Sequence, residues 1–390
     1  MHNEPKAVGI LGGGQLALML AEAAVHLGVN PVIFTGKPSD PQALKNFFSK
    51  VQLVVFENEF LDCQILAAAA EKLDVTFIPS LETIELLQDK LQQKNLLARL
   101  GIPTSPFEVA AQDEVPAAWV ARALKKFGGT CVFKWARMGY DGKGVLIHDE
   151  SKSLELAVSF CAEALQKGYP VYAEKKIRFK RELALIACNS TREEFVTYPL
   201  VVSEQTEGIC SRVTGPAYAL GVPGHLEDQA KDFARRIAEE AGLHGSFALE
   251  LFEADSEELL VNEIAPRVHN SGHYTQDAAD TSQFENHLRA ALGMSLGSTE
   301  TSPGFAMLNL LGPPGVTLSE QDFTMPKAYP KVHVHWYGKT EIRPGRKLGH
   351  LNGTANSPEE LADLLNHLQH YHDQWVIALR NALQKLKKKK

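Results

Sequence analysis

Two apolar runs separated by a short polar segment constrain this chain more than any other feature. Residues 247–252 and 259–264 are apolar and flank the polar residues 253–258, a pattern that predicts a β-hairpin. A turn at the centre of the polar segment would place Glu250 opposite Glu263, with their Cβ atoms roughly 5 Å apart. Both faces of the hairpin would be apolar: Ala248, Phe252, Val261 and Ala265 beside the glutamates, and Phe247, Leu249, Leu251, Leu260 and Ile264 opposite them.

Two ionised carboxylates in such surroundings repel each other and lose hydration. Protonation of one carboxylate, or a cation between the two, would relieve this cost. Mg²⁺ uses one or two carboxylates and completes its shell with phosphate oxygens, and Asn262 offers a further neutral oxygen. The alternative is that one glutamate pairs with Arg267 and the other lies on an exposed rim.

A cluster of polar and basic residues follows the second run, after Pro266. Arginine presents a planar fork of donors that suits a carboxylate or a phosphate. The cluster therefore predicts an anion-binding floor, and a solvated polar loop is the alternative. Its members are Arg267, His269, Asn270, Ser271, His273 and Tyr274.

Composition narrows the class of protein. The 390 residues carry a formal net charge of −7, which gives no electrostatic case for nucleic acid binding. No stretch approaches the ~20 apolar residues of a membrane span, and no signal-like segment precedes the first strand. The cysteines form no CxxC and no metal spacing, so we expect buried thiols in the cytoplasm. They are Cys63, Cys131, Cys161, Cys188 and Cys210.

The N-terminal residues predict a doubly wound α/β unit. A strand at 7–11, the glycine loop 12–14, a helix to about Leu27 and a strand at 31–35 follow one another. No acidic residue follows that second strand to take a ribose, so we do not expect a nicotinamide cofactor. The N-terminus of the helix could still receive an anion.

Further candidate residues lie after other strands. Glu57 and Glu59 follow the strand 53–56 and would project into the crevice of the sheet, with a solvated loop as the alternative. Pro103 and Pro106 mark a linker and a domain boundary.

A glycine-rich segment, 137–144, separates two further strands. Its glycines allow the backbone to approach phosphates, and Lys134 and Lys143 add positive charge. We interpret the segment as a flap over a triphosphate, with an ordinary hairpin turn as the alternative. The charged run 175–182 is either a solvated surface or leads Glu182 towards a ribose.

The C-terminal part predicts a loop at 303–315, because Gly and Pro are frequent there, and a strand at 332–338 with His333 and His335 on one face. His287 is expected to be structural. Several basic residues follow the strand and suggest a phosphate-bearing ligand: Lys339, Arg343, Arg346, Lys347 and His350.

Together these segments resemble ATP-grasp carboxylate–amine ligases, and specifically the N5-carboxyaminoimidazole ribonucleotide synthetase family. The motifs that carry the resemblance span almost the whole chain in the order of the family. They are residues 10–16 (ILGGGQL), 139–144 (GYDGKG), 181–182 (RE), 198–200 (YPL), 262–275 (NEIAPRVHNSGHYT), 281–285 (TSQFE) and 337–350 (YGK…RPGRKLGH).

The resemblance implies an ATP-grasp fold with three domains. These are a Rossmann-like parallel-sheet domain (1–102), a small lid domain (103–185) and a C-terminal mixed-sheet domain (186–390). It also implies ATP, two Mg²⁺ ions and bicarbonate as cofactors and co-substrate, aminoimidazole ribonucleotide as substrate, and a homodimer.

The resemblance also implies roles for individual residues. Metal ligands would be Glu250 and Glu263. ATP would contact Lys90, Lys134, Gly139, Gly142, Lys143, Gly144, Glu174, Ile177, Glu182, Gln205, Asn262 and Glu263. Bicarbonate and carboxyphosphate would be held by Arg267, His269 and Asn270. The aminoimidazole ribonucleotide would contact Gln15, Glu57, Glu59, Tyr140, Asp141, Lys339 and Arg346.

The chain departs from the family pattern at a few positions. Ala17 and Leu18 stand where Gly-Arg is usual, Met138 replaces a glycine, and Ser203 and Gln205 replace Asn and His. Two other hypotheses therefore remain at this stage. One is an ATP-grasp ligase with another amine acceptor, such as a formate-dependent glycinamide ribonucleotide transformylase. The other is a nucleotide-binding relative without turnover.

Overall fold

A parallel sheet with helices around it forms the first part of the fold. The computed structural model describes residues 7–111, 114–139, 144–149, 151–327 and 331–389. The strand order is β2–β1–β3–β4, and each neighbouring pair is parallel, as the N-terminal pattern predicts. The elements are β1 (Ala7–Leu11), α1 (Gln15–His26), β2 (Asn30–Phe34), α2 (Pro41–Phe48), β3 (Leu53–Phe56), α3 (Cys63–Ala70), β4 (Thr76–Ile78), α4 (Leu81–Leu87) and α5 (Lys90–Arg99).

A small antiparallel sheet follows, with strand order β5–β8–β6–β7. Trp119 of its first helix packs edge-on against Phe133, with ring centroids 5.5 Å apart, and both side chains are buried. The elements are β5 (Phe107–Val109), α6 (Pro116–Lys126), β6 (Cys131–Trp135), β7 (Val145–His148), α7 (Leu154–Gln166) and β8 (Val171–Lys175).

The remaining chain forms a large antiparallel sheet, in the order β14–β13–β9–β11–β12–β15–β19–β17, with β10 beside β9. Strands β16 and β18 form a separate small pair. The elements are β9 (Phe179–Asn189), β10 (Phe195–Thr197), β11 (Val201–Thr206), β12 (Ile209–Gly215), α8 (Gly224–Ala241), β13 (Gly245–Ala254), β14 (Leu259–Ala265), α9 (Thr275–Ala278), α10 (Gln283–Ala291), β15 (Gly304–Leu311), β16 (Leu318–Ser319), β17 (His333–Trp336), β18 (Glu341–Ile342), β19 (Lys347–Ala355) and α11 (Leu361–Lys389).

The loop predicted at 303–315 is wrong, because most of this segment is strand β15 inside the large sheet. Its alternating side chains enter two different cores: Phe305 and Met307 on one face, Ala306, Leu308 and Leu310 on the other. A strand buried on both faces has a continuous apolar run. The Gly and Pro residues that favour a loop lie at the ends of this strand, where they terminate it.

The helix around His287 has the structural role that its sequence predicts. His287 is fully buried, and its Nδ1 accepts a hydrogen bond from the Ser246 backbone N–H at 2.9 Å. Burial lowers the pKa of His287 to about 4, so the ring is neutral at neutral pH. It holds α10 against the start of β13.

Among the residues that the structure describes, no helix is both long enough and apolar enough to cross a membrane.

Candidate active site

The hairpin formed by β13 and β14 brings Glu250 and Glu263 opposite each other, as predicted. The ladder shifts by one residue directly after this pair, so that Leu251 faces Val261. A bulge of this kind reverses the face of every later side chain on one strand. The predicted faces of Val261 and Leu260 are therefore wrong: Val261 packs in the core opposite the glutamates, with Leu249 and Ile264 among others.

The two glutamates are partly exposed and have different neighbours. Lys90 Nζ, from α5, lies 2.7 Å from Glu263 Oε2, and His269 Nε2 lies 3.4 Å from Glu250 Oε1. Burial and the neighbouring Glu263 raise the pKa of Glu250 to about 7. Lys90 pairs with one of the two carboxylates, and the raised pKa of the other shows that its charge is poorly tolerated there, so the pair favours a further cation.

Arg267 does not pair with either glutamate. Its guanidinium binds both oxygens of Glu59, with Nη2 donating to Glu59 Oε1 at 3.2 Å and Nε donating to Glu59 Oε2. Nη1 also donates to the backbone oxygen of Val268 at 3.1 Å. The alternative in which Arg267 neutralises a hairpin glutamate is therefore wrong, and Glu59 is not a solvated loop residue because it is 5% exposed.

The segment after Arg267 is buried and does not form a solvated loop. Asn270, Ser271 and His273 are buried beside His269. The Ser271 backbone N–H donates to His269 Nδ1 at 3.3 Å, which leaves the proton of a neutral ring on Nε2, towards Glu250. Burial and the nearby Arg267 hold the pKa of His269 well below its usual value. Arg267 and neutral His269 thus form a floor next to the glutamates.

Lysines from two other elements converge on the same place. Lys134, on β6, donates to Asn262 Oδ1 at 3.1 Å and lies 2.9 Å from Glu174. Glu174, on β8, also lies 2.7 Å from Lys94 and is 3% exposed. Sequence reasoning missed Lys94, although its spacing of four residues from Lys90 on α5 places both lysines on one helix face.

The predicted nucleotide residues occupy two clefts. Glu182, Ser203 and Gln205 line one small pocket together with Glu250 and Asn262. Ile177 lines a different cleft of about 700 Å³, whose lining includes neither hairpin glutamate. This second cleft lies between residues 101–106, 175–178 and the tip of the hairpin.

In the glycine loop of the parallel sheet, the backbone amides are hydrogen-bonded to a carboxylate side chain of the protein. Glu57 accepts hydrogen bonds from Gly14 N at 2.8 Å and from Ala17 N at 3.1 Å. A carboxylate of the protein thus occupies these amides in this structure, and binding of an external anion at this helix N-terminus stays a prediction. The carboxylate of Glu57 satisfies the first amides of α1 and fixes the loop.

Lys339 and Gln15 meet although they are far apart in the chain. Lys339 Nζ donates to Gln15 Oε1 at 2.8 Å and lies 5.5 Å from the centre of the Tyr337 ring. Arg346 Nη1 donates to the Glu341 backbone oxygen at 2.8 Å. Lys339 therefore lies beside the glycine loop.

His350 does not belong to this basic group. It is fully buried, stacks on His335 with ring centroids 4.4 Å apart, and its Nδ1 is 2.8 Å from the Tyr337 hydroxyl. Burial and the neighbouring His273 hold its pKa well below the usual value, so the ring is neutral. Its predicted contribution to a cationic phosphate site is wrong.

Comparison with known proteins identifies the family. A model described as the ATP-grasp domain matches residues 95–284, and one described as the phosphoribosylaminoimidazole carboxylase C-terminal domain matches residues 306–364. An N5-carboxyaminoimidazole ribonucleotide synthase from Synechococcus elongatus is 38% identical over 365 residues, covering 88% of each chain. This chain belongs to the N5-carboxyaminoimidazole ribonucleotide synthase family.

Solved structures of the synthase family share the fold. The Aspergillus clavatus synthase complexed with ATP has a TM-score of 0.82 and 29% identity, covering 95% of this chain and 99% of that chain. The same species' synthase in complex with ADP and 5-aminoimidazole ribonucleotide has a TM-score of 0.81 and 29% identity, with the same coverage. The predicted ATP-grasp fold and the resemblance in the motifs are confirmed.

The flap typical of this family is described only at its borders. Met138 has φ +62°, a left-handed conformation that costs a non-glycine residue about 1 kcal/mol. This is the position at which the synthase family usually has glycine. Gly144, at the other border, has φ +69°, and its backbone oxygen accepts a hydrogen bond from Trp135 N at 2.8 Å. The predicted flap residues between Gly139 and Gly144 lie outside the described residues: Tyr140, Asp141, Gly142 and Lys143.

The other departures from the synthase pattern have identifiable surroundings. Leu18 is 46% exposed on α1. Gln205, in place of histidine, donates to Ser203 Oγ at 3.3 Å. Burial raises the pKa of Glu182, and a hydrogen bond from Gln205 opposes this rise. Gln205 therefore supplies a donor at the edge of the pocket that contains Glu250.

Proposed function

We propose that this enzyme carboxylates the amine of 5-aminoimidazole ribonucleotide, using ATP and bicarbonate, to form N5-carboxyaminoimidazole ribonucleotide, ADP and phosphate. The observation that carries the proposal is that Glu250 and Glu263 face each other across the hairpin, with His269 Nε2 3.4 Å from Glu250 and Lys90 Nζ 2.7 Å from Glu263. Arg267, held by Glu59, follows the hairpin, and Lys339 meets Gln15 at the glycine loop. Membership of the synthase family supports the same reaction.

The two hairpin glutamates suit Mg²⁺, which needs few protein ligands, better than they suit a metal whose ligands all come from the protein. No group of three or more metal-binding side chains occurs within the residues the structure describes. Magnesium needs few protein ligands because phosphate oxygens complete its shell. Glu250 and Glu263 would hold the ion or ions, and the metal would neutralise charge that develops on the transferring phosphoryl group.

The reaction would proceed through carboxyphosphate. A bicarbonate oxygen attacks the γ-phosphorus of ATP and ADP leaves, after which the substrate amine attacks the carboxyl carbon and phosphate departs. Arg267 and His269 Nε2–H would hold the anionic carboxyl group, and Asn270 would lie beside it. Arginine and a neutral donor stabilise developing negative charge without reorganisation.

The remaining contacts follow from the same proposal. Nucleotide phosphates would contact Lys90, Lys134, Lys143 and the flap glycines Gly139, Gly142 and Gly144, with Asn262 beside them. The base would lie near Glu174 and Ile177, and the ribose near Glu182 and Gln205. The aminoimidazole ribonucleotide would contact Gln15, Glu57, Glu59, Tyr140, Asp141, Lys339 and Arg346.

We propose that three domains share this reaction: residues 1–102 bind the substrate, residues 103–185 form a lid, and residues 186–390 carry out catalysis. The homodimer stays a prediction from the family resemblance, and the cytoplasmic location stays a prediction from the sequence.

The test is ADP release with ATP and Mg²⁺, adding bicarbonate and aminoimidazole ribonucleotide singly and together. We expect ADP release to rise sharply with aminoimidazole ribonucleotide and a carboxylated product to appear. Glu263→Gln should abolish this turnover because one oxygen ligand becomes neutral, whereas Glu207→Gln, on an exposed turn, should leave it unchanged. ATP binding without turnover in any combination would contradict the proposal and favour a non-catalytic relative.

A further inference from the structure

Lys94 is a buried cation that the proposed chemistry does not use. Its side chain is 1% exposed, and it lies on the same face of α5 as Lys90. Lys94 Nζ lies 2.7 Å from Glu174 Oε1 and donates to Thr104 Oγ1 at 2.6 Å. The Thr104 hydroxyl in turn donates to the backbone oxygen of Val261 at 2.6 Å. A lysine this deeply buried requires partners, and each of these partners comes from a different segment.

These contacts form a closed ring, one member of which is the predicted phosphate contact Lys134. Glu174 binds Lys94 and also Lys134, at 2.9 Å. Lys134 donates to the side chain of Asn262, whose neighbour Val261 accepts the hydrogen bond from Thr104. The ring thus connects α5, the linker before β5, strands β6 and β8, and the metal-binding hairpin.

The charges in the ring are unequal, and this has a consequence for nucleotide binding. Two lysines face one buried carboxylate, which leaves one positive charge in excess when both lysines are protonated. Burial lowers the pKa of Lys94, and the Glu174 carboxylate 2.7 Å away opposes that fall and favours the ammonium form. Burial would raise the pKa of Glu174, but Lys134 and Lys94 more than offset this and lower it, so the carboxylate is ionised. If nucleotide phosphates draw Lys134 away from Glu174, Lys94 is the cation that stays paired with this carboxylate among the described residues.

We propose that Lys94 is a positioning residue for ATP binding, which keeps Glu174 paired and thereby leaves Lys134 available to the phosphates. This inference rests on the proposed function, in which Lys134 contacts ATP. Without Lys94, Lys134 would be the only cation paired with this buried carboxylate in the described part of the chain. Binding of the phosphates would then compete directly with a buried ion pair, and affinity for ATP would fall.

The proposal is distinguished from simple packing by the effect of a second substitution. Lys94→Met removes the cation and keeps much of the volume. Glu174→Gln removes the charge that needs the cation but keeps a side-chain oxygen for the proposed contact with the base. If Lys94 acts through Glu174, the double variant should bind ATP better than Lys94→Met alone. If Lys94 only fills space, the double variant should bind no better.

The experiment measures ATP affinity of the full-length enzyme with Mg²⁺ by calorimetry, which does not depend on turnover. We expect Lys94→Met to weaken binding at least roughly tenfold, and the double variant to recover at least about threefold of that loss. Arg99→Met is the matched control, because Arg99 is an exposed cation on the same helix, with a surface ion pair to Glu240 at 3.5 Å. It should leave affinity unchanged.

Two results would overturn the proposal: Lys94→Met binding ATP within about twofold of the unmodified enzyme, or a double variant no tighter than Lys94→Met. If Lys94→Met does not fold, Lys94→Gln tests the same ring, because its amide can still donate to Glu174 or Thr104 while the positive charge is lost. It should weaken ATP binding a few-fold, and unchanged affinity would contradict the role of Lys94. Normal ATP binding without product formation in the unmodified enzyme would instead count against the proposed function alone.

Discussion

At the scale of single residues, the hairpin glutamates combine two demands that oppose each other. Metal binding requires both carboxylates to be ionised, whereas burial and mutual repulsion favour a proton on Glu250, whose pKa rises to about 7. Lys90, 2.7 Å from Glu263, relieves only part of this repulsion. Without a metal, the pair is therefore expected to destabilise the fold once both groups are charged.

The pH dependence of stability follows from this pKa. A carboxyl group whose pKa is higher in the folded than in the unfolded state binds more protons when folded, so stability falls as pH rises through that interval. Without Mg²⁺, Glu250 should make the protein progressively less stable between about pH 5 and pH 7, and Glu250→Gln should remove this contribution. Thermal unfolding of both proteins across this range, with and without Mg²⁺, measures it.

Other groups titrate in both proteins, so the contribution of Glu250 is the difference between their stabilities at each pH. We expect Glu250→Gln to be at least as stable as the unmodified protein at about pH 8 without metal. We also expect Mg²⁺ with ATP to stabilise only the unmodified protein. A difference that does not change with pH would rule out a raised pKa at Glu250.

At the scale of elements, the backbone amides at the start of helix α1 donate to a carboxylate that lies just after strand β3. Glu57 follows β3 and accepts hydrogen bonds from Gly14 and Ala17. Gly12 has φ +125°, and a Cβ there would collide with the Glu57 side chain. The glycine loop therefore serves the close approach of Glu57, and no dinucleotide is needed to explain it.

Replacement of Glu57 by alanine should loosen the start of α1. It removes the acceptor of two backbone amides and a negative charge at the helix N-terminus, together about 1–2 kcal/mol. Hydrogen exchange of the amides in residues 12–20 should accelerate several-fold. Glu71→Ala, at the exposed end of α3, is the control and should leave these amides unaffected. Equal protection in Glu57→Ala would show that the glycine loop is held by other contacts.

The elements also show which features the sequence could predict. Alternation and apolar runs were sufficient for β1, β3 and the hairpin, because each pattern is local. They could not reveal the bulge after Glu250, since nothing in the local apolar pattern marks a one-residue shift. Asn262, which the shifted ladder skips, accepts a hydrogen bond from Lys134 of β6. For β15, the flanking Gly and Pro residues obscured a strand that the apolar run 305–311 indicates.

At the scale of the whole molecule, the site depends on contacts between distant parts of the chain. Lys90 reaches Glu263, Glu59 holds Arg267, and Lys339 reaches Gln15. No local pattern predicts such pairs, because each depends on how the three sheets pack. The residue types were predictable from the family motifs. Their partners were not, and Arg267 was assigned to bicarbonate without its carboxylate Glu59.

The central claim is that ATP activates bicarbonate through carboxyphosphate in this enzyme. Bicarbonate labelled with heavy oxygen, supplied with ATP, Mg²⁺ and aminoimidazole ribonucleotide, tests it directly by mass spectrometry of the released phosphate. Because a bicarbonate oxygen attacks the γ-phosphorus, we predict that each phosphate carries a single labelled oxygen. Unlabelled phosphate formed together with the carboxylated product would contradict this mechanism, and phosphate formed without any product would mean that the chain hydrolyses ATP for another purpose.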